Sequence, residues 1–143
     1  MTEKVKIVIT GFQKELVKTN INDFLINRYD LSGNLLIVGS FDFGYYHDVE
    51  IIFYDVTFIA CPTSFTADKL RLATNQEIDR LRNITYENGG DGYVFCFEDT
   101  FSLTKFYIIA HNVEFNFEKV MYFDKELRIE GVALSKWAES KSK

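Results

Sequence analysis

Apolar and polar positions follow two different rhythms along this chain, and each rhythm predicts a different element. Val5, Ile7 and Ile9 recur at every second residue ahead of Gly11, which predicts a short strand over 5–9. From Phe12 to Arg28 the apolar residues fall at 12, 16, 17, 21, 24 and 25, mostly in steps of three and four, which predicts an amphipathic helix. Thr19, Asn20 and Asn22 weaken that helix, because their short polar side chains compete for backbone partners.

Leu31-Ser32-Gly33-Asn34 reads as a turn, and Leu35 to Phe41 as a strand. His47 to Cys61 is the densest apolar stretch, and both of its faces are substantially apolar, as in a strand covered on both sides. Asp55 interrupts it, which fits either one long bent strand or a tight hairpin, and Pro62 ends it. Thr74-Asn75-Gln76-Glu77 has the spacing of a capping box, with Ile78 and Leu81 giving the following short helix one apolar face.

Asn88-Gly89-Gly90-Asp91-Gly92 is the clearest turn. Strands are predicted at 93–98, 106–110, 113–118 and 120–123, with His111-Asn112 as a two-residue hairpin loop between the second and third. The tail beyond Trp137 is expected to fray. Together these elements predict one α+β domain over 1–143: a mainly antiparallel β-sheet packed by one longer N-terminal helix and one short helix.

Composition sharpens this picture. With 47% hydrophobic residues and only one proline and eight glycines in 143, the chain is neither disordered nor collagen-like. Its 14 Phe, 8 Tyr and single Trp need burial or a partner. Cys61 and Cys96 sit inside apolar runs at no metal-ligand spacing, so both are expected as reduced, buried thiols. The start MTEKVKIVIT lacks the apolar core of a signal peptide, and no apolar run approaches membrane-spanning length; the expected location is cytoplasmic.

Net charge is −5, and its distribution says more than its size. From Tyr29 to Asp68 there is no Lys or Arg, and Asp30, Asp42, Asp48, Glu50, Asp55 and Asp68 give that stretch −6. A second basic-free run, Asn83 to Thr104, carries −4. Such a surface repels phosphate backbones, so nucleic acid is not an expected partner.

Aromatics interleaved with these acids, rather than with bases, suit a cationic protein. The leading expectation is therefore a non-catalytic binding protein whose acidic, aromatic-edged sheet face engages a basic protein such as a toxin. Asp42, Tyr45, Tyr46, Asp48, Glu50 and Asp55 are the expected contacts. The alternative is a metal-assisted hydrolase built from His47, Asp48 and His111. In a regular strand, however, His47 points away from the face shared by Asp48 and Glu50. A homodimer that buries surplus aromatics is a third reading. Serine-hydrolase chemistry is not expected, because the chain lacks G-x-S-x-G, and no cofactor is expected, because Ile9-Thr10-Gly11-Phe12 lacks the later glycines of a dinucleotide loop.

Overall fold

In the computed structural model, residues 2–41, 43–44, 46–85 and 92–121 are described. The Asn88–Gly92 turn falls almost wholly outside them. The strand expected at 120–123 is described only at its start, and the tail beyond Trp137 not at all.

The architecture is α+β, as the patterning predicts. The longer helix comes first, the shorter one follows the seventh strand, and all pairing is antiparallel. The N-terminal elements correct the sequence expectation. Helix α1 runs Thr2–Leu16, covering the expected strand, and β1 (Asp23–Tyr29) occupies the end of the expected helix. Val5, Ile9, Phe12 and Leu16, in steps of four, three and four, are the buried α1 residues. That stripe overrides the local alternation of Val5, Ile7 and Ile9, and Ile7 is left 65% exposed. Gly11 does not stop the helix; it lies on the face that approaches the Phe115 ring. Thr19 does the stopping, since its hydroxyl donates to the Leu16 carbonyl and accepts from the Ile21 amide.

The remaining elements are β2 (Leu35–Ser40), β3 (Tyr46–His47), β4 (Val49–Tyr54), β5 (Phe58–Ala60), β6 (Ser64–Thr66), β7 (Lys69–Leu72), α2 (Asn75–Thr85), β8 (Tyr93–Asp99), β9 (Thr104–Ala110), β10 (Asn112–Asn116) and β11 (Val120–Met121). One sheet has the order β10-β4-β2-β1-β6, a second β5-β9-β8-β7, and β3 pairs with β11.

The two larger sheets are joined by bent strands. Tyr54 pairs with Asn112 and Phe58 with Ile109, so residues 55–57 on one strand face only 110 and 111 on the other. This one-residue bulge turns the β4–β5 ribbon, together with its partner β9–β10, from one sheet into the other. The stretch 47–61 is thus a single bent run after a short break at Asp48, not a hairpin. His111-Asn112 is likewise no hairpin loop, because β9 and β10 run on in different sheets. On the other side the chain passes from β6, paired with β1, through Ala67 and Asp68 into β7, paired with β8.

Between the sheets lies a phenylalanine-rich core. Phe53 packs against Phe95 and Phe97, and Phe97 also meets Phe24 and Phe65, with ring centroids 5.1–6.2 Å apart. Helix α1 adds its stripe to this core, and Phe12 sits 5.5 Å from both Phe115 and Phe117. The capping box forms as predicted, with Thr74 Oγ1 accepting from the Glu77 amide and Glu77 Oε1 from the Thr74 amide. It starts α2, whose Ile78 and Leu81 pack on Val94 and Ile109 across the outer face of the second sheet.

Candidate functional site

Those of the expected contact residues that are described do not form one patch. Asp42 and Tyr45 lie outside the described residues. Tyr46 is half-buried, with Lys119 Nζ 4.2 Å from its ring centroid. Asp48 Oδ2 accepts from the Phe41 amide at 3.2 Å and the Ser40 hydroxyl at 3.4 Å, a role that closes the β2–β4 connection. Glu50 is fully buried, so it presents no charge to a partner, and its place among the surface contacts is corrected.

What Glu50 does instead follows from the chain break at Asp48. His47 ends β3, Asp48 leaves the strand to donate its amide to Gly39 O, and β4 begins at Val49. The side-chain alternation restarts there. His47 and Glu50 therefore meet, with Nε2 2.8 Å from Oε2 and neither side chain exposed.

The hydrolase constellation is also separated. His47 lies beside the Glu50 end of β4, while the His111 amide bonds to Tyr54 O at the other end. Glu50 and Tyr54 are four residue steps apart along β4, about 13 Å. Among the described residues no group of three or more His, Cys, Asp or Glu side chains converges as a metal site.

Asp55 belongs to a different pole of the molecule, and that pole gathers acids and aromatics. The β1–β2 turn lies against the bulge, with Val56 N donating to Gly33 O at 2.8 Å. Asp30 Oδ1 holds the turn by accepting from the Ser32 and Asn34 amides. Asp55 is exposed, has a positive φ of 53°, and lends its carbonyl to His111 Nδ1 at 3.1 Å. Beside it the Tyr54 hydroxyl donates to the exposed Glu114 carboxylate. Partial burial first, and that bond second, push the Tyr54 phenol up to about 12.

Tyr29 and Leu31 stand out from the same pole, 54% and 109% exposed. Positions 29–34, 54–57 and 111–114 contain Asp30, Asp55 and Glu114 but no Lys or Arg. The sequence places Asp30 and Asp55 in one acidic stretch but gives no sign of Glu114, which is 59 positions from Asp55 and is brought close by the ribbon register.

The other dense polar cluster fastens α2. Glu77, 4% exposed, takes a bidentate bond from Arg71 at 2.8 and 3.1 Å and another from the Tyr107 hydroxyl at 2.8 Å. Arg71 Nε also donates to Glu98 at 3.1 Å. The Arg71 bond, the largest influence, holds the Glu77 carboxyl far below the usual range. Cys61 and Cys96 are free thiols, and burial pushes each up to about 11. No helix among the described residues is long and apolar enough to cross a membrane.

No protein family, curated protein or solved structure matches this chain.

Proposed function

We propose that this protein is a non-catalytic binding protein that engages a basic protein partner through the acidic, aromatic-edged pole around Asp55. The observation that carries this reading is the Val56–Gly33 backbone bond, which sets the Asp30 turn against the Asp55 bulge. Three carboxylates thereby share a pole that contributes no Lys or Arg, with Tyr29, Tyr54 and Leu31 as apolar anchors. A cationic toxin is one partner of that chemistry. The pole draws its acids from three separate stretches of chain, and Asp55 and Glu114 among them are exposed.

An octalysine peptide is a direct probe. Its binding is expected at low salt and to weaken as salt rises, because exposed charges are screened over about 10 Å at 0.1 M. Asp55→Asn with Glu114→Gln is expected to lower affinity roughly fivefold or more, each rim charge contributing up to about 1 kcal/mol. Unchanged affinity in that double variant, or a lack of salt dependence, overturns the reading.

A further inference from the structure

Strand β7 is an edge strand, and the start of its outer edge is met by a side chain rather than by another strand. The Gln13 amide of α1 donates to Asp68 O at 3.1 Å and accepts from Leu70 N at 2.8 Å. That is the donor–acceptor pattern of a paired strand residue. In an antiparallel ladder, groups facing one neighbour recur at every second residue. Ala73 N bonds to Val94 O on the β8 side, so Leu70 O and Leu72 N continue the edge that Gln13 begins. Beside this edge a groove of about 440 Å³ runs between α1 and β7, lined by Ile9, Val17 and Leu70 with Lys14 and Lys69.

The charge there opposes that of the chain as a whole. Among the described residues, neither Lys14 nor Lys69 is within ion-pair distance of a carboxylate. Glu98, directly across from Lys69, is taken by Arg71, and Asp68 is bonded to the Thr100 amide and hydroxyl. We propose that this groove takes an extended peptide segment of a partner protein, alternating apolar and acidic, that adds as a strand to β7. Backbone bonds to Leu70 O and Leu72 N supply the register, the α1–β7 floor takes the apolar side chains, and Lys14 and Lys69 meet the acidic ones. This surface is separate from the Asp55 pole and selects the opposite charge.

The probe is a fluorescent eight-residue peptide of alternating valine and glutamate, titrated into the full chain and followed by anisotropy. Saturable binding is expected, with slowed hydrogen exchange at the Leu72 amide. Lys14→Glu with Lys69→Glu is expected to weaken binding about tenfold or more, and the milder Lys14→Gln with Lys69→Gln to act in the same direction. Asp55→Asn with Glu114→Gln leaves this binding unchanged, which separates it from the function of the acidic pole. Absence of saturable binding overturns the proposal, as does equal affinity for a valine–lysine peptide or unaltered exchange at Leu72.

Discussion

His47 and Glu50 lie three positions apart in the chain and meet at 2.8 Å with both side chains withdrawn from solvent. A buried carboxylate that loses its partner bears its own desolvation, so breaking such a pair costs about 3–5 kcal/mol when both groups are charged and about 1–3 otherwise. His47→Ala and Glu50→Ala are each expected to destabilise by about 2–4 kcal/mol in urea unfolding. Because each single change already removes the bond the two share, the double variant is expected to fall well short of the sum. Strict additivity shows that the two groups do not depend on each other.

How much of this was legible in the chain can be judged from the same residues. The strands at Leu35, Tyr93 and Phe106, and the Thr74–Glu77 cap, are local signals, and each appears where the pattern puts it. The first 28 residues mislead because Val5–Ile9 satisfies both periods. Distant packing decides for the helix, including contact of Phe12 with Phe115 and Phe117, more than a hundred positions away. The His47–Glu50 pair depends on a one-residue break at Asp48, and the Asp55 pole on a bulge register. Neither leaves a hydrophobic period to read.

The Glu77 carboxyl gives stability a definite pH dependence. Its folded pKa is depressed, chiefly by Arg71, so its contribution is complete above the unfolded value of about 4.3 and is lost as pH falls below it. Urea midpoints are expected to drop between pH 6 and pH 3, and Glu77→Gln to flatten that drop while costing about 2–4 kcal/mol at pH 7. An identical pH slope in the variant means that other carboxylates carry the effect.

The two thiols are expected to be inert while the protein is folded. Burial holds both in the neutral form up to about pH 11, and the thiolate is the reactive species. Iodoacetamide at pH 8 is expected to label neither Cys61 nor Cys96 on a timescale that labels both in 6 M guanidinium. Rapid modification of native Cys61, the more accessible of the two, contradicts this.

Gly39 marks a point where two strands leave no room. A Cβ there would lie 2.7 Å from carbons of Phe24 and Val49, both buried in the core. Neither ring nor isopropyl group has space to retreat, so the strain falls on the β1–β2–β4 ladder, where Gly39 pairs with Phe24 and Val49. Gly39→Ala is expected to destabilise by about 1–3 kcal/mol, despite the gain that alanine normally brings to a strand. Leu103 is the converse case. It holds a φ of 60° at an exposed turn, which costs a branched residue about 1–2 kcal/mol. Leu103→Gly removes that strain but adds about 0.5–1 kcal/mol of unfolded-state entropy. The net is a gain of up to about 1.5 kcal/mol, visible as a higher thermal midpoint. A lower midpoint for Leu103→Gly contradicts the backbone strain at that turn, and a higher one for Gly39→Ala contradicts the crowding between the strands.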